Sequence, residues 1–255
     1  MKVILFCGGL GLRLRDYDPR TPKPLVPVGP HTLLWNLMRY YAHHGHTDFI
    51  LCLGHNAAAF RNYLSGKQGW EAAKAGWSVT CVDTGLERNL GQRLMAVRPH
   101  LEGDEAFLVN YADVLTDLAL PTMLASFWAH GRVASFMVYQ PTQSFHVVSL
   151  EPDDRVRSIG PVSSSGLWVN AGFMVFRSDI FDYLGPGEEL VEAPFRRLMA
   201  VDELIAYRHY GFWATMDTQK DKQVLDQIYA QGSPPWEVWQ PVRATPDLQP
   251  VLTAV

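Results

Sequence analysis

Apolar runs alternate with helix-like segments along the first half of the chain. The segment Lys2–Cys7 is almost continuously apolar and ends in two glycines, which is typical of a buried strand that leads into a loop. Leucine, methionine and tyrosine then recur at helical spacing between residues 33 and 41. Gly45 is placed to end that helix, and the strand-like run Asp48–Gly54 follows. The predicted order is strand, loop, helix, strand.

The same alternation continues to residue 141. It predicts strands at Ser78–Val82, Ala106–Asp113 and Ala134–Pro141, and helices at Ala57–Leu64, Gly91–Val97 and Thr122–His130. Strands that alternate with helices form a mainly parallel sheet with helices on both faces. We therefore predict an α/β fold with a Rossmann-like mixed, mainly parallel sheet flanked by helices.

After Pro141 the pattern becomes more antiparallel. Two strand-like segments flank a turn at Pro152-Asp153-Asp154, and Leu167–Phe176 is another strong strand. The remaining predicted helices are Asp179–Leu184, Ala193–Met199 and Lys220–Ala230. No linker or internal repeat separates these elements. We expect a single domain over residues 1–255.

Composition narrows the possible partners. The 255 residues are 47% hydrophobic and 19% charged, with a formal net charge of −4. Such a balance gives no general affinity for nucleic acid or for anionic membranes, so we expect neither as a partner. Cys7, Cys52 and Cys81 lie in apolar runs without metal-site spacing, which predicts buried thiols in a reducing cytoplasm. The N-terminal apolar run is too short for a signal peptide core.

The loop after the first strand combines glycines with cations. Gly8, Gly9 and Gly11 fall where ligands bind an α/β sheet, beyond the carboxyl end of a strand. Glycines let backbone N–H groups approach an anion, and Arg13 and Arg15 add charge-assisted hydrogen bonds. A plain turn would explain one or two glycines but leaves the cations unexplained. The loop matches neither a Walker A motif nor a dinucleotide fingerprint, and we predict that it binds phosphate.

A lysine between two prolines follows this loop. Pro22 and Pro24 each fix their own φ and favour extended geometry in the preceding residue, so Lys23 stands on a stiff backbone. It loses little entropy when it binds a charge. The alternative is an ordinary surface lysine.

These two motifs together resemble the sugar-1-phosphate nucleotidyltransferases. The family pattern Gly-Gly-x-Gly-x-Arg-Leu is present at Gly8 to Leu14, and Pro-Lys-Pro follows at Pro22 to Pro24. Later segments, including "VDTG", "VNAGFMVF" and "YRHYGFWATMDTQKDKQVL", look most like the glucose-1-phosphate cytidylyltransferase branch. The resemblance runs from Val3 to about Trp239. It implies the nucleotidyltransferase fold, with a nucleotide-binding half at about 1–118 and an acceptor-binding half at about 119–240.

The resemblance also implies a reaction and a cofactor. A phosphate oxygen of the acceptor attacks the α-phosphorus of a nucleoside triphosphate in line, and pyrophosphate leaves. Positioning and charge neutralisation carry most of such catalysis, with Mg²⁺ on the phosphates. Arg13, Lys23 and Asp113 are the implied catalytic residues, and Asp113 and Asp217 are the implied magnesium ligands. Asp117, close by, is interpreted as a structural cap.

The remaining implied site residues fall into two groups. The nucleotide-binding residues are Cys7, Gly8, Gly9, Gly11, Arg13, Gly85, Gly91 and Tyr111. The acceptor-binding residues are Lys23, Asn170, Gly172 and Glu192. The implied partners are CTP, or another nucleoside triphosphate, and a phosphorylated small molecule, and the chain is expected to form a homo-oligomer.

Four departures from the family pattern fall near the expected substrate pocket. A Glu-Lys-Pro motif, whose lysine holds the sugar phosphate, is replaced by the sequence around Gly160-Pro161-Val162. Leu12 replaces a threonine, Ala112 a glycine, and Gln92 the second glycine of a pair. We interpret these changes as an altered preference for the acceptor, with Arg155, Arg157 or Arg177 in place of the missing lysine.

The resulting hypothesis is transfer of CMP from CTP to a sugar 1-phosphate, giving a CDP-sugar. A first alternative keeps the chemistry with another nucleotide, or with an acceptor that is a different phosphate or a phosphonate. A second alternative is a catalytically silent protein that binds nucleotide or sugar phosphate. Joint retention of the glycines, Lys23, Asp113 and Asp217 argues against that second alternative.

Overall fold

The computed structural model describes residues 1–9, 21–142 and 145–240. Its strands are β1 (Val3–Phe6), β2 (Pro27–Val28), β3 (His31–Thr32), β4 (Asp48–Leu53), β5 (Ser78–Asp83), β6 (Ala106–Tyr111), β7 (Val114–Thr116), β8 (Ala134–Tyr139), β9 (His146–Leu150), β10 (Val156–Pro161), β11 (Val169–Arg177), β12 (Leu204–His209) and β13 (Trp213–Thr215). Its α-helices are α1 (Leu33–His43), α2 (Ala57–Ser65), α3 (Lys67–Lys74), α4 (Leu90–Val97), α5 (Leu120–His130), α6 (Ala193–Ala200) and α7 (Gln219–Ala230).

A seven-stranded sheet forms the centre of the molecule. Its order is β12-β8-β11-β6-β1-β4-β5, and β11 is antiparallel to both of its neighbours while the other pairs are parallel. The carboxyl ends of six strands and the start of β11 therefore meet at one edge. Ligands of open α/β sheets bind at such an edge.

Apolar side chains cover both faces of this sheet. One face packs against α1 and α5 through residues such as Leu34, Met38 and Phe127, all fully buried. The other packs against α4 and α6, where Leu94 and Leu198 are buried. Burial on both faces explains why the strands of the first half read as continuous apolar runs. The predicted mixed, mainly parallel α/β fold is confirmed.

Some element boundaries differ from the predictions. The segment Ser178–Tyr183 is a 3-10 helix rather than an α-helix, and β6 ends at Tyr111, two residues before the predicted end. The predicted hairpin turn is present, with Asp154 at a φ of 66°. Helix α3 was missed because its interior glycine, Gly69, hides the helical pattern. That glycine is required, since a β-carbon there would overlap the Leu64 carbonyl oxygen.

Two short strands outside the large sheet bring distant parts of the chain to its carboxyl edge. Strand β7 follows β6 and pairs antiparallel with β13, with Thr215 opposite Val114. The residues just outside this pair are Asp113 and Asp217, and Met216 donates its backbone N–H to the Asp113 carbonyl oxygen at 2.9 Å. The pairing therefore sets two carboxylates side by side.

All three cysteines are free, with Cys7 and Cys52 buried and Cys81 half-buried. Their burial raises the pKa of each thiol, which keeps them protonated. The prediction of buried thiols is thus confirmed for Cys7 and Cys52, and Cys81 is more accessible than expected. Among the described residues, no helix is both long enough and apolar enough to cross a lipid bilayer.

Candidate active site

A cavity of about 510 Å³ opens at the carboxyl edge of the sheet. Its wall includes Gly8 and Gly9 after β1 and Tyr111 and Ala112 after β6. Three cations and three carboxylates face the same space, namely Lys23, Arg88, Arg93, Asp113, Glu189 and Asp217. Such a charge-rich cavity suits a ligand that carries phosphates and a cation rather than an apolar ligand.

Lys23 joins the two aspartates that the β7–β13 pair sets side by side. Its Nζ donates to Asp113 Oδ2 and to Asp217 Oδ1, each at 2.6 Å. Lys23 begins a 3-10 turn whose prolines hold the backbone, as the sequence predicted, and its side chain is only 14% exposed. Asp113 lies 90 positions and Asp217 lies 194 positions after Lys23 in the chain, and the fold brings both to one ammonium group.

A polar network fixes the β7–β13 pair that carries these aspartates. Thr116 Oγ1 donates to the Phe212 carbonyl oxygen at 2.7 Å, and Phe212 N–H donates to Asp117 Oδ1 at 2.7 Å. His209 Nε2 lies 3.0 Å from the same carboxylate oxygen. These bonds tie the start of β13 to the end of β7. Asp117 therefore acts as a structural residue, but it holds the start of β13 and does not cap α5, whose N-cap residue is Ala119.

Arg93 is a buried cation at the base of the cavity. It is 4% exposed, and its guanidinium donates to the carbonyl oxygens of Gly8, Leu53 and Leu86 and to Thr84 Oγ1 at 2.7 to 3.3 Å. Burial lowers the pKa of this guanidinium, and nearby acidic groups oppose that effect. One side chain thus holds together the loops that follow β1, β4 and β5.

Two glycines make room for Arg93. A β-carbon at Gly8 would overlap its guanidinium, and one at Gly54 would lie 2.9 Å from Nη1. Gly9, in contrast, has no atom of the described residues within 4 Å of a β-carbon position and is exposed. The two adjacent loop glycines therefore have different reasons to be glycine: close packing at Gly8 and open access at Gly9.

The segment Gly185–Glu192 supplies a third carboxylate. Glu189 lines the cavity and accepts hydrogen bonds from the backbone N–H groups of Leu90, at 3.3 Å, and Leu190, at 2.9 Å. Its neighbour Glu188 forms a bidentate pair with Arg197 on α6. That pair, with the Gly185 N–H, lowers the pKa of Glu188 to about 2. The segment is thus anchored to both α4 and α6.

Tyr111, in the wall of the cavity, meets Asn170 of β11. The Asn170 amide donates to the Tyr111 hydroxyl at 3.1 Å, and its Oδ1 accepts from Gly172 N–H at 3.0 Å. Burial raises the pKa of Tyr111 to about 12, and the charges of Glu189 and Asp113 act in the same direction. Tyr111 therefore stays protonated near neutral pH and can donate its hydroxyl proton to a ligand.

Known proteins are similar to this chain in sequence and in fold. The chain matches the family model for nucleotidyl transferases over residues 2–206. It is 31% identical to the glucose-1-phosphate cytidylyltransferases of Salmonella typhi and Salmonella typhimurium, and each alignment covers 94% of this chain and 100% of the relative. The chain belongs to the nucleotidyl transferase family. The resemblance seen in the glycine loop and the Pro-Lys-Pro motif is confirmed.

Solved structures show that the nucleotidyl transferase fold extends to more distant proteins. The UTP-bound UGPase of Acinetobacter baumannii superposes with a TM-score of 0.68 at 20% identity, over 89% of this chain and 92% of that chain. At this identity the likeness concerns the fold. The sheet and helices that surround the cavity thus have the same arrangement in both proteins.

The residues predicted for this nucleotidyl transferase site fall into three groups. Those that line the cavity are Cys7, Gly8, Gly9, Lys23, Tyr111, Asp113 and Asp217. Those that do not belong to the described lining are Gly85, Gly91, Asn170, Gly172 and Glu192. Gly11, Leu12 and Arg13 lie outside the described residues.

Three members of the second group have structural explanations. A β-carbon at Gly91 would overlap the Glu188 carbonyl oxygen, so this glycine lets α4 pack on the Gly185–Glu192 segment. Gly172 adopts a φ of 77° within a β-bulge of β11, against Asn110. Glu192 is exposed before α6, and Glu189 takes the position in the cavity.

Several departures from the family pattern also find a place. Ala112 is buried and lines the cavity. Gln92 completes a capping box with Asn89 at the start of α4, so it stabilises a helix rather than contacting substrate. The three arginines considered as substitutes for the missing lysine are engaged elsewhere: Arg155 with Asp153, Arg157 with Glu151 and Arg177 with Glu105. None of these three lines the described cavity.

Proposed function

We propose that this nucleotidyl transferase transfers CMP from CTP to a phosphorylated acceptor, glucose 1-phosphate or a variant of it, and releases pyrophosphate. The observation that carries the proposal is the junction of Lys23 with Asp113 and Asp217 inside a glycine-lined cavity. The names of the Salmonella relatives support CTP as the nucleotide and glucose 1-phosphate as the starting acceptor. Catalysis here rests on positioning and charge.

Lys23 has the role of holding the reacting phosphates together. Two phosphate-bearing substrates repel each other, and an ammonium group between them lowers that repulsion. Because the surrounding prolines restrict the backbone, little entropy is lost when the side chain turns from the aspartates to the phosphates. The backbone N–H groups of Gly8 and Gly9 are placed to contact the nucleotide. Arg93 adds a buried positive charge beneath that loop.

Asp113 and Asp217 have the donor chemistry of a magnesium site. No group of three or more His, Cys, Asp or Glu side chains suited to a metal occurs in the described parts of the chain. Two neighbouring carboxylates fit Mg²⁺, which takes one or two protein carboxylates and fills its remaining positions with water and substrate phosphates. When bound, the ion would neutralise charge on the triphosphate. Asp113 and Asp217 would hold the ion at the carboxyl edge of the sheet.

The acceptor side consists of Tyr111, Asn170 and Glu189. The Tyr111 hydroxyl and the Asn170 amide can donate hydrogen bonds to the acceptor substrate. The Glu189 carboxylate can accept hydrogen bonds from the hydroxyl groups of that substrate. This assignment gives to Glu189 the part expected for Glu192. It suits a polyhydroxylated molecule such as a sugar phosphate.

Two further expectations remain part of this proposal. Assembly into a homo-oligomer is supported by the hairpin β9–β10, where Val148, Leu150, Val156 and Ile159 are 44% to 67% exposed and pair across the strands. A reducing cytoplasmic location is supported by three cysteines without a disulfide.

The test is pyrophosphate release in Mg²⁺, measured for CTP, UTP, dTTP, GTP and ATP against glucose 1-phosphate and other phosphorylated acceptors. We expect turnover with CTP, and loss of most turnover in Lys23→Ala and Asp113→Asn. Asp153→Asn, an exposed carboxylate on the hairpin turn, is the control and should keep full activity. Full activity of Lys23→Ala, or silence across every combination, would overturn the proposal and favour a binding protein.

A further inference from the structure

An arginine lies on the acceptor face of the sheet at the level of Asn170. Val138 of β8 pairs with Asn170 of β11 on one side and with Arg208 of β12 on the other. Residues that pair directly across neighbouring strands project from the same face of a sheet. Asn170 and Arg208 therefore share one face and are separated by two strand spacings, about 10 Å.

Asn170 connects this face to the cavity. Its amide donates to the hydroxyl of Tyr111, and Tyr111 lines the cavity beside Asp113. An acceptor whose phosphate lies near Asp113 and whose body contacts Tyr111 and Asn170 would extend along the sheet edge toward Arg208.

The guanidinium of Arg208 is held in place but is not neutralised. It lies over the ring of Trp168, 5.5 Å from the ring centre, and Trp168 in turn packs edge-on against Tyr210 at 5.6 Å. In the described part of the chain, Arg208 has no carboxylate partner within ion-pair distance. Stacking fixes the plane of a guanidinium while its N–H groups remain available to an oxyanion.

Four other cations of the described chain have engagements of their own. Lys23 is paired with two aspartates, and Arg93 is bonded to carbonyl oxygens beneath the nucleotide loop. Arg157 and Arg177 are each paired with a glutamate. Tyr210, which packs against Trp168, is itself 73% exposed, so this aromatic pair lies at the surface.

We propose that Arg208, supported by Trp168, binds a second anionic group of the acceptor, at the end remote from the reacting phosphate. This inference rests on the proposed nucleotidyl transfer. Strand β12 is three strands away from β6, about 14 Å, so Arg208 is too far to hold the reacting phosphate itself. The substrate class is a phosphorylated small molecule that carries a carboxylate or a second phosphate, because the guanidinium fork fits either oxyanion.

Matched acceptors test this inference. Glucose 1-phosphate carries no further anion. Glucuronic acid 1-phosphate adds a carboxylate, and glucose 1,6-bisphosphate adds a second phosphate. We expect at least one of the two doubly anionic acceptors to have a KM at least tenfold below that of glucose 1-phosphate, which is the effect of one charge-assisted hydrogen bond. The acceptor that shows the larger effect identifies the oxyanion.

Variants separate Arg208 from a general effect of charge. Arg208→Gln should abolish the preference and leave the KM for CTP unchanged, and Trp168→Leu should reduce the preference. Arg155→Gln removes an equal charge at the exposed hairpin turn and should keep the preference. Equal KM values for all three acceptors in the unmodified protein, or a preference that survives Arg208→Gln, would overturn the inference.

A binding measurement distinguishes this inference from the proposed function. Titration calorimetry of the same acceptors, in the presence of Mg²⁺ and α,β-methylene-CTP, requires no turnover. If no acceptor reacts but tighter binding of a doubly anionic acceptor is lost in Arg208→Gln, the inference stands and the proposed reaction fails. If the acceptors react with CTP but bind with equal affinity, the reaction stands and the inference fails.

Discussion

Gly8 contacts the guanidinium of Arg93 so closely that no side chain fits between them. This guanidinium has no carboxylate partner among the described residues. It donates instead to the Gly8 carbonyl oxygen at 3.1 Å. The glycine loop and the buried arginine thus form one unit, in which the loop covers the cation and the cation fixes the loop.

Replacing Gly8 with alanine should disturb this unit. We expect Gly8→Ala to lower the free energy of unfolding by about 1–3 kcal/mol, the usual effect of overpacking, and to weaken CTP binding. Gly9→Ala is the matched control, because a β-carbon there meets no atom of residues 1–9, 21–142 or 145–240 within 4 Å, and its unfolding free energy should be unchanged. Chemical denaturation and calorimetric CTP titration measure the two effects. A destabilised Gly9→Ala with an unaffected Gly8→Ala would contradict the packing argument.

Lys23 and a divalent cation should compete for the same two carboxylates. Lys23 Nζ lies 2.6 Å from Asp113 Oδ2 and from Asp217 Oδ1. Removing the ammonium group leaves these two oxygens accessible to a metal ion. In the absence of nucleotide, we expect Lys23→Met to bind Mn²⁺ more tightly than the unmodified protein, as measured by electron paramagnetic resonance.

Two variants control that measurement. Lys2→Met removes a lysine whose Asp104 pair lies at the opposite edge of the sheet, and it should leave Mn²⁺ binding unchanged. Lys23→Met combined with Asp113→Asn should lose the gain. Weaker Mn²⁺ binding in Lys23→Met alone would show that the lysine does not occupy the metal position.

The pair between Glu188 and Arg197 should control the acceptor side through Glu189. Arg197→Met removes the bidentate partner of Glu188 and its bond to the Tyr183 carbonyl oxygen, so the segment that carries Glu189 loses its anchor on α6. We expect a severalfold rise in the KM for the acceptor with little change in the KM for CTP. Steady-state kinetics against each substrate checks this. Arg132→Met, which interrupts an exposed pair with Glu203, should change neither constant.

Two histidines near the end of α1 should make stability depend on pH. Burial lowers the pKa of His44 and His46 to about 4, with added repulsion from His43 and from the N-terminal ammonium group, respectively. Above pH 6.5 both histidines are neutral in the folded and unfolded states. Between about pH 6.5 and 4 the unfolded chain binds protons that the folded chain excludes, so the unfolding free energy falls as pH falls.

The double variant His44→Gln, His46→Gln tests this dependence. Its unfolding free energy, from denaturant titrations at successive pH values, should fall less steeply between pH 6.5 and 4 than that of the unmodified protein. His146→Gln, which changes an exposed histidine on β9, should keep the original slope. Parallel slopes for all three proteins would refute the assignment.

The sequence predicted the sheet and the reacting end of the site because both depend on local patterns. Apolar runs identify β1, β4, β6 and β8, and the Pro-Lys-Pro motif places Lys23. Asp113 ends a predicted strand, and the family positions of Asp113 and Asp217 predicted both as ligands of one magnesium ion. Their proximity is now observed, and their roles stay a prediction.

Features that depend on tertiary packing were beyond the sequence. Arg93 lies on a helix whose pattern does not indicate which arginines face inward, so its burial went unnoticed. Glu189 and Glu192 lie in a segment without periodicity, and only the docking of that segment on α4 selects Glu189. Strand β12 was also missed, and with it the register that sets Arg208 and Asn170 on either side of Val138.

The pairing of β7 with β13 has a consequence for how the protein matures. During synthesis the glycine loop, Lys23 and Asp113 leave the ribosome long before Asp217, which arrives only after β12 and β13 have been made. A chain shortened after β12 would contain every strand of the large sheet but one carboxylate of the pair. Under the proposed function, a chain shortened after β12 therefore lacks a carboxylate that the reaction requires, and it should not consume nucleotide.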